Sequence, residues 1–199
     1  SSVVNPEGRI IINTALCQAG RVHLNKERQE VLLLADIWQR AFKQAGWFLR
    51  FVRIWLKPGQ DIALHSMSMD LPSVNWEFIL TFYNPLGKFK PQRRVGSENG
   101  KWASSATWEM NTDTFKDHPA TFPLELPKRN MLLYSDENDI CIEPFSGSGS
   151  TLMVCEQINR IFYGMELSPV YCDVIIQRWC KYTNTDPETI YAQQVKHEV

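Results

Sequence analysis

Residues 139–151 read Asp-Ile-Cys-Ile-Glu-Pro-Phe-Ser-Gly-Ser-Gly-Ser-Thr, and few folds accommodate such a run. A short apolar stretch ends in Glu143, breaks at Pro144, and passes Gly147 and Gly149 in a turn of small residues before a helical pattern begins. The order is strand, tight turn, helix N-terminus. In an open parallel sheet, ligands lie beyond the carboxyl ends of the strands, where glycines let the backbone approach them closely. The turn is therefore the leading candidate for a cofactor site.

The helix after it spans Thr151–Ile158, with Asn159 as a left-handed stop, and Ile161–Glu166 forms a second strand that again ends in a carboxylate. A β-α-β crossover sets such strands parallel, so Glu143 and Glu166 project over the same sheet edge. A carboxylate at the end of the second strand, about twenty residues after the glycines, is where dinucleotide folds grip a ribose diol. The first carboxylate, beside the turn, favours a cationic ligand centre over a phosphate. Leu152 stands where the dinucleotide fingerprint needs its third glycine, which leaves NAD weakly supported. No lysine of the phosphate-loop kind is present, which argues against ATP or GTP. An adenosine ligand carrying a sulfonium and an α-amino acid, with no phosphate, suits these residues better.

Upstream, Asn5-Pro6-Glu7-Gly8 turns the chain into Arg9–Thr14, an apolar β-branched run read as a buried parallel strand. Lys26–Ala45 has the pattern of an amphipathic helix, with Val31, Leu34, Ala35, Trp38, Ala41, Phe42 and Ala45 on one face, Asn25 as cap and Gly46 as stop. Phe48–Trp55 and Trp76–Tyr83 read as strands closed by Pro-Gly and Asn-Pro turns. A short helix near Pro127 would bury Met131, Leu132 and Tyr134. Ser168-Pro169 starts a last helix whose face is Tyr171, Val174, Ile175, Arg178 and Trp179, and after Thr183 the chain is polar and without pattern.

Net charge bears on partners. The 199 residues sum to -1, so a polyanion partner needs a local basic patch. Residues 84–117 supply one: periodicity is lost, and Lys88, Lys90, Arg93, Arg94 and Lys101 are interleaved with Phe89, Trp102 and Trp108. Cations for phosphates mixed with rings for bases are what a nucleic-acid loop needs, although a solvated surface insertion has the same composition. Arg50, Arg53 and Lys57 form a second basic set that partly alternates along its strand and reads equally as its solvent side. No apolar run reaches the length of a membrane span and no signal peptide is visible, so a cytoplasmic protein is expected. The five cysteines lack C-x-x-C spacing and read as buried thiols, with no zinc site.

These residues carry a resemblance. Glu143–Thr151, Glu-Pro-Phe-Ser-Gly-Ser-Gly-Ser-Thr, is similar to the D-P-F-x-G-S-G-T-T signature of DNA amino-methyltransferases, which act on adenine N6 or cytosine N4. Tyr163–Tyr171 resembles the G-I-E-L-x-x-x-Y segment that follows it, His118–Pro123 the H-P-x-x-x-P element before it, and Trp76–Leu80 an earlier strand. The likeness covers most of residues 9–182, in the permuted, β-like order with the cofactor motif towards the C-terminus. It implies a Rossmann-like α/β fold, with a mostly parallel sheet and helices on both faces, residues 1–199 forming one domain, S-adenosylmethionine as cofactor, and DNA as substrate. By the same resemblance Phe145 packs on the adenine, Gly147 and Gly149 admit the amino-acid end, Glu166 binds the ribose hydroxyls, and His118, Ala120 and Phe122 line the methionine side. Glu143, Thr151 and Leu167 complete the implied cofactor set, and residues 84–117 become the target-recognition loop, with Lys88, Lys90, Arg93, Arg94, Lys101 and Trp102 on DNA.

One element is missing. The family uses an Asp, Asn or Ser followed by Pro-Pro and an aromatic to hold the target amine and stack on a flipped base. Asn5-Pro6-Glu7-Gly8 and Asn84-Pro85-Leu86-Gly87 begin correctly but lack the second proline and the ring. No catalytic residue is therefore assigned. In the permuted order that tetrapeptide follows a strand upstream of Ile10, which would lie centrally, between the strands at Ile142 and Ile11. A parallel sheet without its middle strand leaves backbone groups unpaired. The expectation is a C-terminal portion of something longer, or a sheet completed by another segment or a second chain. The alternative is a methyltransferase-like protein that binds nucleic acid, or serves a structural role, without modifying anything.

Overall fold

The structure is a computed structural model and describes residues 7–15, 33–59, 75–87, 100–112 and 122–195. The chain divides into two compact units, Ser1–Asn111 and Thr112–Val199. Among the described residues no helix is long and apolar enough to cross a membrane.

The first unit is built on strands β1 (Arg9–Thr14), β2 (Phe48–Leu56), β3 (Trp76–Tyr83) and β4 (Thr107–Glu109), with helices α1 (Leu34–Gln44) and α2 (Gly100–Ser104). The order across the sheet is β1-β3-β2-β4. β3 runs antiparallel to both β1 and β2, and β4 runs parallel to β2, so three strands share one direction and β3 alone opposes them. The expected parallel pairing of the Arg9–Thr14 strand is corrected: its neighbour is the reversed β3, from Arg9↔Tyr83 to Thr14↔Phe78. The expected burial is corrected as well: Arg9–Asn13 are half-buried and only Thr14 is buried, because β1 stands at the edge of this sheet, and nothing in a β-branched run specifies the direction of the strand alongside.

One face of this sheet is apolar. Trp47, Leu80 and Phe82 form its buried centre, and Ile10, Ile12, Ala35, Trp38, Phe42, Leu49 and Phe78 pack around them. Ala35, Trp38 and Phe42 recur at helical spacing, so part of the predicted stripe of α1 packs on the sheet, while Ala41 and Ala45 of that stripe are exposed. Phe42 and Phe82 rings meet at 4.7 Å. The part of the predicted helix before Leu33, with Asn25 and Val31, lies outside the described residues.

The opposite face mixes cations with apolar residues such as Ile79 and is also covered, which corrects the reading of Arg53 and Lys57 as a solvent side. Both are buried, as is Trp55 between them. The Arg53 guanidinium lies 4.6 Å from the Phe51 ring and 4.9 Å from the Trp108 ring, and donates to the Ala103 carbonyl. Lys57 pairs with Glu77, which also accepts from the Asn13 amide at 2.5 Å. Alternation placed these cations on one face; it did not reveal that α2 and β4, both inside the stretch where periodicity fails, cover it.

The second unit contains α3 (Glu125–Tyr134), β5 (Ile140–Glu143), α4 (Ser150–Gln157), β6 (Ile161–Gly164), α5 (Pro169–Thr183) and α6 (Pro187–Val195). β5 and β6 pair in parallel, from Ile140↔Ile161 to Glu143↔Gly164, with α4 as the connection predicted from the sequence. Their inner face, Cys141 and Phe162, packs on Met131, Val154 and Cys155. α3 starts two residues ahead of Pro127 and buries Met131 and Leu133, while Leu132 and Tyr134 stay half-buried. Asn159 takes the expected left-handed conformation at φ 57°. The polar tail read as featureless forms α6, whose Tyr191 hydroxyl donates to Asp173 of α5.

Candidate cofactor site

The site is assembled at the carboxyl ends of β5 and β6. The chain leaves β5 at Glu143, and the Met165 N–H just past β6 donates to the Glu143 carbonyl at 2.9 Å. The Ser146 N–H donates back to the Met165 carbonyl at 2.9 Å, so the turn is laced to the end of β6. Gly164 permits this approach: a Cβ there would run into the Phe162 ring and stand 2.5 Å from Ser146 Oγ. Within the turn, Gly149 N–H reaches the Ser146 carbonyl at 2.8 Å. Gly149 then opens α4 at φ 80°, a conformation that a side chain resists, and a Cβ would also press on Ile175 of α5 at 3.0 Å.

The two carboxylates have distinct settings. Glu166, half-buried, accepts the Gly147 N–H at 2.7 Å and the Ser168 N–H at 2.9 Å, one on each oxygen. It thereby ties the glycine turn to the start of α5. Glu143 accepts the Phe145 N–H at 3.1 Å and the Thr151 hydroxyl at 3.4 Å. Burial pushes the Glu143 carboxyl above the usual carboxylate range, and those two hydrogen bonds offset part of the rise.

A pocket opens over this turn, lined by Phe122, Phe145, Ser146, Gly147, Ser148, Ser150, Glu166 and Tyr171. Of the implied cofactor residues, Phe122, Phe145, Gly147 and Glu166 are brought together on its wall. Glu143, Gly149, Thr151 and Leu167 stand beside it, and His118 and Ala120 lie outside the described residues. Ser146, Ser148, Ser150 and Tyr171 are additions; Tyr171 is visible in the sequence as the last residue of the second motif, and the serines as the small residues between the glycines.

The donor set tests what can sit there. Among the described residues Glu166 is the only charged group on the pocket wall, so a phosphate would meet an anion there and no cation. A neutral diol can donate to the same carboxylate. Phe145 is 80 % exposed and Leu167 97 % exposed, leaving flat and branched apolar surface at the turn for a planar base. These residues fit an adenosine ligand without phosphate.

The nucleic-acid candidates fare unevenly. Lys88, Lys90, Arg93 and Arg94 lie outside the described residues. Lys101 is exposed on α2, whereas Trp102 packs edge-on against buried Trp108 at 5.9 Å and its carbonyl accepts the Trp108 indole N–H at 2.7 Å. Trp102 thus backs the ring that covers Arg53.

Comparison with known proteins gives these features a context. The model of the N6/N4 DNA methylase family matches residues 2–178. Type II methyltransferase M.Cfr9I of Citrobacter freundii is 33% identical over 152 residues, 73% of this chain and 50% of that protein. Type II methyltransferase M.BglI of Bacillus subtilis is 29% identical over 171 residues, 84% of this chain and 47% of that protein. The chain therefore spans about half the length of the curated relatives it matches. Among solved structures, TTHA0409 of Thermus thermophilus, assigned as a DNA modification methylase and complexed with S-adenosyl-L-methionine, superposes with a TM-score of 0.67. It is 26% identical, and the match covers 87% of this chain and 69% of that one.

Proposed function

Since this chain belongs to the N6/N4 family of DNA methylases, we propose that it supplies the cofactor-binding half of an S-adenosylmethionine-dependent enzyme that methylates an exocyclic amino group of a DNA base. The observation that carries this reading is the Glu166 carboxylate, locked to Gly147 and Ser168 at the wall of a pocket whose described residues offer an anion and no cation. The bound cofactor supplies the methyl group on a sulfonium. Glu166 accepts the ribose hydroxyls on the carboxylate that also takes the two amides, Phe145 and Leu167 cover the adenine, and the glycines let the amino-acid end approach the backbone. Glu143 braces the turn and sets a negative field where the ligand's cationic end lies. His118 and Ala120 belong to that end on the strength of the motif they occupy.

Lys88, Lys90, Arg93, Arg94 and Lys101 are proposed to meet DNA phosphates, with residues 84–117 as the recognition segment and the two compact units as parts of one methyltransferase domain in the cytoplasm. The amine-holding tetrapeptide is proposed to come from a further segment or a second chain. Two facts support that. The β5–β6 face carrying Ile140, Ile142, Ile161 and Tyr163 is exposed, with Ile140 at 63 % and Tyr163 at 60 %. Apolar side chains of a parallel sheet are ordinarily covered on both faces. The match also takes up only about half of each relative's length.

Isothermal titration with S-adenosylmethionine and with NAD tests the cofactor; binding of NAD alone would refute it. Methyl transfer from radiolabelled cofactor to DNA, with this chain alone and joined to the segment that precedes the matched region in a relative, tests the division of labour. Activity is expected only in the joined protein. Neutralising Arg93 and Arg94 should weaken DNA binding and flatten its salt dependence by about two charges, and an unchanged slope would assign them to solvent.

A further inference from the structure

We propose that Arg178 on α5 is a positioning residue for Glu166, acting through the two peptide units of the glycine turn. The inference rests on the reading of Glu166 as the ribose-binding carboxylate. Arg178 Nη1 donates to the Ser148 carbonyl and, at 3.0 Å, to Ser148 Oγ. The Ser148 carbonyl belongs to the same peptide plane as the Gly149 N–H, which donates to the Ser146 carbonyl at 2.8 Å. The Ser146 carbonyl in turn shares its plane with the Gly147 N–H, which donates to Glu166 Oε2 at 2.7 Å. The result is one continuous line from guanidinium through two peptide groups to carboxylate.

The polarity of that line is uniform. In a trans peptide the carbonyl and N–H point in opposite directions, so each plane passes the hydrogen bond on in the same sense. A cation sits at the oxygen end of the first plane and an anion at the hydrogen end of the second. Chains of this kind polarise one another, most where water is scarce. Ser146 and Ser148 are 8 % and 5 % exposed. Left-handed Gly147 and Gly149, at φ 51° and 80°, supply the rotations that put the two planes in line. Ile175, one turn ahead of Arg178 on α5, abuts Gly149, so the helix that holds the carbonyl also fixes the distance. Arg178 lies outside the pocket wall, which makes its route to the ligand indirect.

The test is a double-mutant cycle on the full 199-residue chain, with S-adenosylmethionine affinity by calorimetry and the Gly147 amide proton by NMR. Arg178→Met is expected to weaken binding about tenfold and to move the Gly147 amide upfield, as its bond to Glu166 loosens. Arg178→Lys, which keeps the charge without the fork, should lose less. In a Glu166→Gln background, Arg178→Met should cost little more. Equal loss in both backgrounds, or an unmoved Gly147 resonance, would overturn the inference by making Arg178 an independent contributor to folding. Should Arg178→Met fail to fold, the same cycle run with Arg178→Lys decides between these outcomes. Wild-type protein that binds no S-adenosylmethionine would instead overturn the cofactor reading, and the ligand role of this relay with it.

Discussion

Replacing Glu166 with alanine probes brace and ligand group together. The strand-end position alone suggests a side chain with little part in packing, removable without harm to the fold. Its contacts point to a larger cost. Glu166 accepts two backbone N–H groups, at 2.7 and 2.9 Å, and alanine leaves both without their acceptor. A hydrogen bond to a charged group contributes roughly 1.5–3 kcal/mol, and the half-exposed setting places each near the lower limit. The expected loss is therefore about 3 kcal/mol for alanine. Glutamine retains one carbonyl oxygen, so its expected loss is about half. At roughly 2–4 °C per kcal/mol for a chain of this size, the alanine variant should melt about 6–12 °C below wild type. Calorimetry gives the melting shift, and titration with S-adenosylmethionine gives the binding loss in the same samples. If alanine melts with wild type while binding falls, Glu166 is a ligand group with no structural duty, and the two-amide argument is wrong. If binding also persists, Glu166 leaves the site altogether.

Further measurements address the neighbouring residues. Glu143 has a raised pKa from burial, so between the unfolded and the raised folded value the native state holds a proton that the unfolded chain has released. Stability from this group is fully present below the unfolded carboxylate pKa and is lost as pH rises through the folded one. Glu143→Gln should therefore gain on wild type across that interval in urea titrations and stay level above it, and a constant gap at all pH would refute the assignment. Gly149→Ala should cost about 2–3 kcal/mol from left-handed strain and the Ile175 contact together; adding Ile175→Ala should restore the shape but not the backbone conformation, as read by denaturant midpoints. Glu77→Ala strands the Lys57 ammonium, whose side chain is 7% exposed, at a cost of about 3–5 kcal/mol. The apolar pair Lys57→Met with Glu77→Leu should lie much closer to wild type in thermal melts.

Features that depend on near neighbours in the chain are readable in advance. Gly147 and Gly149 mark a backbone that turns left-handed, Asn159 ends a helix, Pro169 starts one, and the carboxylates at 143 and 166 end up beyond the same sheet edge. Each depends on torsion preferences or on spacing over a few residues. Misreadings arise where a residue's partner lies far along the chain. Arg53 reads as a surface cation because its strand alternates, and only α2 and β4, about 50 residues on, bury it. The edge-on contact of Trp102 with Trp108 is likewise invisible in the lysine and glycine around it. α6 escapes notice because its sequence has little apolar patterning.

The local character of the turn is written in its own residues: left-handed Gly147 and Gly149 set among small side chains, between two strands with carboxylates at or just past their ends. Those properties follow from residue type and local torsions. Contacts between distant segments decide that β3 runs against β1 and β2, that Glu166 takes two amides, and that Arg178 holds the Ser148 carbonyl of the same turn. Strand direction and hydrogen-bond relays depend on which distant segments meet, and a periodic pattern records only that a side chain is to be buried, never by what.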